Sequence, residues 1–345
     1  MDGIAFTAYG GPEVTSIEQF PIPQPGPGEV QIRTVGSGLN PIDKHQRSGA
    51  FKSIMPYHHP VIAGNEFSGH ISALGSGVDG SKFAVGDAVI CRVRKDKMDG
   101  MGAYVVQPAS IVAKAPSSIS LVDAAGLPLA GLTALQVLNQ LDVQAGDRLL
   151  ITGGSGGVGL FAIQLAKIRG AFVFTTASSA GKPYVEKAGA DEVIDYKTEK
   201  LASYTPKSGA KWTKVFDAAG GEHTMIDDII PSVAPGGHIV SVAGVMTPGI
   251  FDAVLPYFKA ILVNAMLRYK AWSVTSAAAS AGVKYEYIFM RPDGAELAQL
   301  ARYVDEGKLV VNVDSKFSVQ EYKKAFEQLE SGRSKGKVLI EWPQA

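Results

Sequence analysis

A chain of 345 residues predicts about two domains at roughly 100–200 residues each, and 46% hydrophobic against 19% charged residues provides the material for a sizeable core. Its 33 basic residues balance 33 acidic ones, so the net charge gives no electrostatic footprint for nucleic acid or an anionic membrane. One cysteine, Cys91, excludes an intrachain disulfide and a four-thiolate zinc site.

The opening residues 1–7 carry neither the basic nor the long apolar region of a secretory signal. The most apolar long stretch, 251–267, is interrupted by Asp252, Lys259 and Asn264 and falls short of the roughly 18 uncharged residues of a membrane span. A soluble, cytoplasmic protein without an integral membrane segment is expected. Residues 29–35 alternate after the breaker Pro25-Gly26-Pro27-Gly28, residues 87–93 alternate after Val85-Gly86, and residues 102–106 supply another strand. Residues 1–122 therefore read as a β-rich unit. From about Asp147 the rhythm changes to strand, glycine turn, helix and strand again, with strands predicted over 148–152, 171–176, 192–195, 214–218 and 237–242. That alternation predicts an α/β, doubly wound parallel sheet. Helix 158–169 puts Val158, Phe161, Ala162, Leu165 and Ile168 on one apolar face, and Gly170 ends it. Beyond 265, helix-like 295–306, extended 309–313, helix-like 319–330 and a strand at 337–341 predict a return to the first unit.

The sharpest chemical signal lies in the run from Leu149 to Gly159, where Gly154, Gly156 and Gly159 satisfy G-x-G-x-x-G between a strand and a helix. Gly154 is expected to permit a tight turn, Gly156 to let the backbone approach a pyrophosphate, and Gly159 to let helix and strand pack closely. Ser155, Gly157 and Val158 complete the phosphate cradle at the positive end of the helix. An NAD site would place an acidic residue about 20 positions further on to hold the ribose hydroxyls, yet no Asp or Glu occurs between Gly154 and Glu186. Ser178, Ser179 and Lys182 occupy that window instead, and a lysine can meet a 2′-phosphate through charge-assisted hydrogen bonds. NADPH is the expected cofactor.

Four segments occur in one order: Gly38-Leu39-Asn40-Pro41-Ile42-Asp43, Phe83-Ala84-Val85-Gly86-Asp87-Ala88-Val89, the run Leu127 to Leu135, and the turn Gly153 to Gly159. Together they resemble the zinc-independent quinone oxidoreductase and enone reductase branch of the medium-chain dehydrogenase/reductase superfamily. The resemblance spans nearly the whole chain, and Tyr287-Ile288-Phe289-Met290 and Gly332 to Lys337 are similar to the reticulon-interacting branch. It implies a GroES-like catalytic domain over 1–122 and 266–345, a Rossmann domain over 123–265, a nicotinamide in the cleft between them, and a homodimer. Where zinc-dependent relatives place cysteine and histidine ligands, this chain has Asn40 and Asn65, with Leu129 the match to a third position. Asp43 and Glu66 alone make a poor zinc site, so no bound metal is expected. By resemblance Asn40 lies beside the nicotinamide and bonds its amide or the substrate oxygen, and Tyr57 is a proton donor or oxyanion partner. Tyr196 resembles a tyrosine that flanks the 2′-phosphate and Thr133 a residue near the cofactor phosphates or nicotinamide, while Ala219, Val242 and Ala243 follow strands and border the nicotinamide half. His58 and His59 lack ligand spacing.

Without a metal to polarise a simple carbonyl, the chemistry expected is hydride transfer to an acceptor already electrophilic, a quinone or an α,β-unsaturated carbonyl. An enoyl-thioester reductase and a non-catalytic NADPH-binding scaffold stay open as alternatives.

Overall fold

The computed structural model describes residues 1–343 except 207, 208, 210, 253 and 254. Strand β1 (Asp2–Phe6) pairs antiparallel with β2 (Thr15–Gln19). The Pro-Gly segment ends at Gly28, whose φ of 75° is readily reached only by glycine, and β3 (Glu29–Leu39) starts there. Helix α1 (Pro41–Arg47) begins directly after it, with Pro41 in the first turn, where no backbone donor is needed. Next come β4 (Val61–Ile62), which joins β1, then β5 (Glu66–Leu74), β6 (Ala88–Arg92), β7 (Tyr104–Pro108) and β8 (Val112–Lys114). One edge of β3 pairs with β5, and β6 and β8 follow in order; the first half of the other edge pairs with β7. Val30, Ile32, Phe67, Ile71, Val89 and Val105 bury one face of this sheet. Helix α2 (Leu121–Ala124) is capped by Ser120, whose Oγ accepts the Asp123 N–H at 3.1 Å.

The chain divides into two compact units, Met1–Leu132 with Arg291–Ala345, and Thr133–Met290. The first crossing falls inside α3 (Pro128–Gln140). In the second unit, β9 (Arg148–Thr152), α4 (Gly157–Ile168), β10 (Phe172–Thr176), α5 (Lys182–Lys187), β11 (Glu192–Ile194), β12 (Trp212–Asp217) and β13 (Val233–Ser241) follow, then the long α6 (Tyr257–Ser280) and β14 (Lys284–Tyr287). All pairings are parallel and the strand order is β11-β10-β9-β12-β13-β14. Chain order reverses beside β9, and such a reversal opens a crevice at the strands' carboxyl ends. Five strands agree with the sequence to within a few residues at their ends. The sixth, β14, was not anticipated, and it moves the second crossing from the expected 265/266 to 290/291. Lys-Tyr-Glu-Tyr lacks an apolar run, and pairing with β13 selects it.

The chain then returns to the first unit with α7 (Gly294–Asp305), capped by Asp293 through the N–H groups of Ala295 and Glu296 at 2.9 and 3.0 Å. Strand β15 (Val313–Ser318) lies later than the extended segment expected at 309–313. Helix α8 (Tyr322–Glu330) and β16 (Lys337–Glu341) follow. β16 pairs antiparallel with the second half of β3, Val338 opposite Leu39, so residues almost 300 positions apart meet where α1 starts.

Candidate functional site

In the second unit the glycine turn is fastened to the end of β10. The Gly153 N–H donates to Thr176 Oγ1 at 3.0 Å and the Gly154 N–H to the Thr176 carbonyl at 3.0 Å. The left-handed residue of the turn is Gly153, with φ 66°, rather than Gly154. Gly154 is required for another reason: a Cβ there would run into Thr175 Oγ1. A Cβ on Gly159 would strike the Gly153 carbonyl oxygen and the Gly154 Cα, which is the close helix-strand approach expected. Gly156 differs, since a Cβ would meet nothing nearer than the Gly153 oxygen at 3.4 Å. Protein packing does not demand glycine there. The first intrahelical bond of α4 runs from the Leu160 N–H to the Gly156 carbonyl at 3.0 Å, so the amides of Gly157, Val158 and Gly159 occupy the first turn, where helices bind anions.

Beyond β10, Ser178 is buried and its carbonyl accepts the N–H groups of Gly181 and Lys182 at 2.8 and 3.0 Å. A Cβ on Gly181 would lie 2.7 Å from Ser155 Oγ, so the glycine turn and the start of α5 adjoin. The Lys182 side chain is more than half exposed, and its Nζ lies 3.8 Å from Glu186 Oε1. An acidic group also reaches this corner. Asp195, at the end of β11, accepts from Ser179 Oγ at 2.7 Å, and this bond with the Lys197 N–H holds its carboxyl below the usual range. The window after the glycine motif missed it because parallel pairing of β10 with β11, not sequence distance, brings it to Ser179. Tyr196 beside it is exposed.

At the carboxyl ends of β9, β12 and β13, the buried Asp217 accepts from Thr152 Oγ1 and Ser241 Oγ, both at 2.7 Å, and from the Gly220 N–H at 3.1 Å. This knot shapes the loops that carry Ala219, Val242 and Ala243. Tyr287 Oη donates to the Val242 carbonyl at 3.1 Å, and Tyr285 Oη to that of Val245 at 2.8 Å. Ala219 and Ala243 are exposed, Val242 half-buried and Thr133 buried in α3.

The first unit holds a buried polar cluster. Glu66, with no exposed surface, accepts at Oε1 from Lys337 Nζ at 2.6 Å and Asn40 Nδ2 at 2.8 Å, and at Oε2 from the Leu129 N–H at 2.6 Å. Lys337 Nζ also donates to Asn40 Oδ1 at 2.6 Å and the Leu39 carbonyl at 2.9 Å. The Asn40 amide, expected to reach nicotinamide or substrate, is thereby committed within the unit. Burial pushes the Asp43 carboxyl up to about 6. Asp43 accepts from the Asn40 N–H at 2.7 Å and from Asn65 Nδ2 at 2.6 Å. Asn65 Nδ2 donates also to Gln46 Oε1 at 2.6 Å, and Gln46 Nε2 to Tyr57 Oη at 3.1 Å. Each bond orients the next: the acceptor-only carboxylate turns the Asn65 amide, which turns the Gln46 amide, which makes Tyr57 Oη an acceptor. The Tyr57 hydrogen is left to donate elsewhere. Burial raises the Tyr57 hydroxyl above its ordinary value and keeps it protonated. His59 Nδ1 lies 3.0 Å from the Phe6 carbonyl, and the imidazole packs edge-on against Tyr9.

This donor set does not fit zinc. The matching positions offer amides, and the Lys337 ammonium already lies beside Glu66 and Asn40, where a dication would meet like charge. Among the described residues no three His, Cys, Asp or Glu side chains form a ligand group. A concavity of about 670 Å³, lined by Asp123, Asp305, Asp314 and Lys316 among others, belongs to the first unit and includes none of these residues.

Residues 26–117 match the alcohol dehydrogenase GroES-like domain family, and residues 188–340 match the zinc-binding dehydrogenase family. A chloroplastic quinone oxidoreductase of Triphysaria versicolor is 30% identical over 99% of this chain and 98% of its own length. The chloroplastic NADPH-dependent alkenal/one oxidoreductase of Arabidopsis thaliana is 31% identical over 99% of this chain and 79% of its own. The solved quinone oxidoreductase of Coxiella burnetii superposes with a TM-score of 0.82 at 31% identity, over 99% of both chains. With the reversed parallel sheet, the glycine turn and the GroES-like unit, these similarities show that the chain belongs to the quinone oxidoreductase and enone reductase branch of the medium-chain dehydrogenase/reductase superfamily.

Proposed function

We propose that this protein is an NADPH-dependent, zinc-independent reductase of quinones and α,β-unsaturated carbonyl compounds. The observation that carries the reading is the glycine turn at the reversal of the sheet. Gly154 and Gly159 are fixed by packing, whereas Gly156 stands clear of the protein and leaves the first-turn amides of α4 open to a pyrophosphate. NADPH, when bound, supplies a hydride. Gly154, Ser155, Gly156, Gly157, Val158 and Gly159 hold its pyrophosphate, Ser178, Lys182 and Tyr196 its phosphorylated ribose, and Ala219, Val242, Ala243 and Thr133 border the remainder. The Lys182 contact with Glu186 is an exposed i,i+4 pair worth a few tenths of a kcal/mol, so the ammonium is readily recruited by a 2′-phosphate.

An enone that accepts hydride at its β-carbon becomes an enolate, and one proton completes the product. Tyr57, whose hydrogen is unclaimed by Gln46, supplies that proton or donates to the enolate oxygen. Asn40 serves as a positioning residue that carries the Lys337 charge to the start of α1. The reading includes a homodimer, which the superfamily resemblance supports, and no nucleic-acid partner, which the balanced charge supports. A cytoplasmic location belongs to the same reading, although the Triphysaria and Arabidopsis relatives are chloroplastic.

NADPH oxidation measured against naphthoquinones, enones, alkenals and enoyl thioesters, with a direct NADPH titration, tests this reading. Turnover of the first three classes is expected. Preference for enoyl thioesters would move the assignment to lipid or polyketide metabolism, and binding without turnover would make the protein a scaffold.

A further inference from the structure

Helix α6 has two apolar faces, and one of them is uncovered. Ala260, Leu267, Ala271, Val274 and Ala278 are buried, and Val274 and Ala278 pack in the core of the second unit with Ile229, Val283 and Tyr285. At about 100° per residue, Phe258, Leu262, Ala265, Tyr269 and Trp272 project opposite that stripe. They are exposed, Tyr269 by 87% and Trp272 by 69%. Basic residues border this outer face on both sides, Arg268 along one margin and Lys259 and Lys270 along the other. None of the helix's 24 residues is acidic.

We infer that the outer face of α6 docks in the plane of an anionic phospholipid bilayer. An apolar and aromatic strip edged by cations is the arrangement of interfacial helices: the strip enters the acyl boundary while lysine and arginine extend to the headgroups. Tyrosine and tryptophan suit that depth because each joins an apolar ring to a polar tip. A symmetric contact with a second copy is disfavoured, since it would set the same three cations against themselves while the adjoining Glu222 carboxylate is engaged by Ser273 Oγ. The balanced charge of the whole chain does not oppose docking, because the field at a surface depends on the nearest charges within a Debye length. Among the described residues no helix is long and apolar enough to cross a membrane, so the helix lies on the bilayer. The inference stands apart from the proposed reaction.

Vesicle co-sedimentation of the full chain tests it, with phosphatidylcholine alone and with about 30% phosphatidylglycerol added. Three cations near an anionic surface predict binding to the mixed vesicles at least about 30-fold tighter. Trp212 and Trp342 are buried, so a blue shift of emission on binding, quenched by brominated lipid, reports Trp272; Trp272→Phe should abolish the shift and preserve sedimentation. Phe258→Glu with Tyr269→Glu should reduce binding at least tenfold at unchanged circular dichroism and NADPH affinity. Substituting Lys259, Arg268 and Lys270 with glutamine should erase the preference for anionic lipid. Absence of binding to the mixed vesicles, or binding indifferent to the double variant, overturns the inference. So does a dimer in sedimentation velocity that the double variant converts to monomer, which would assign the face to a second copy.

Discussion

Removing the Lys337 charge tests how far the buried cluster of the first unit depends on the cation hydrogen-bonded to it, with the buried Arg92 guanidinium as the other positive charge facing Glu66 and Asp43. Lys337→Met keeps the length and apolar stem of the side chain while deleting three donated hydrogen bonds, to Glu66 Oε1, Asn40 Oδ1 and the Leu39 carbonyl. Glu66 remains wholly buried, with Asn40 Nδ2 and the Leu129 N–H as its remaining donors among the described residues. Stranding one member of a buried ion pair costs about 3–5 kcal/mol. For a unit of this size, each kcal/mol shifts Tm by about 2–4 °C, so unfolding of the first unit should move down by about 6–20 °C. Glu66→Gln in the same chain neutralises the stranded charge, and the double variant should regain at least about 2 kcal/mol relative to the sum of the single ones. Urea unfolding of wild type, both single variants and the double variant, followed by circular dichroism, gives the cycle. A loss below 1 kcal/mol in Lys337→Met, or strict additivity in the double variant, would falsify the assignment of Lys337 as the ion-pair partner of Glu66.

Further expectations concern the cofactor, the proton and the pH response. Lys182→Ala should raise KM for NADPH about ten-fold, equivalent to about 1.4 kcal/mol, and leave NADH use nearly unchanged; equal losses with both would remove the 2′-phosphate from that corner. Asp195→Asn, which takes an ionised carboxylate from beside Ser179, should lower the NADPH KM, and a rise instead would favour NADH as the natural partner. Gly156→Ala should unfold like wild type yet lose cofactor affinity, whereas Gly154→Ala, which drives a Cβ into Thr175, should lose stability, as calorimetry with and without NADPH would reveal. Tyr57→Phe should lower kcat for enones by 10²-fold or more, the usual scale of general acid catalysis; unchanged kcat would hand the proton to water. Asp43, raised to about 6 in the folded chain by burial against about 3.9 unfolded, keeps its proton in the native state across that interval. Its contribution to stability therefore falls as pH rises from about 4 to 6, by about 3 kcal/mol. The stability difference between wild type and Asp43→Asn should follow that slope, and a flat difference would contradict the burial effect.

Local pattern was enough to specify much of this molecule. Strand, glycine turn and helix from Arg148 to Ile168 were legible because period-2 and period-3.6 patterns and glycine spacing are properties of adjacent residues. The same holds for the five parallel strands and the β-rich opening. Helix α6 was not legible, because apolar residues on both faces erase the period that marks an amphipathic helix. Strand β14 carries no apolar run and is a strand because β13 lies beside it. Tertiary structure alone decided three matters: that Asp195 joins Ser179, that Asn65 and Gln46 make Tyr57 Oη an acceptor, and that Lys337 meets Asn40 across 297 positions. Such contacts depend on strand register and on where carboxylates are buried. Burial makes an unpaired charge intolerable and so selects its partner from anywhere along the chain.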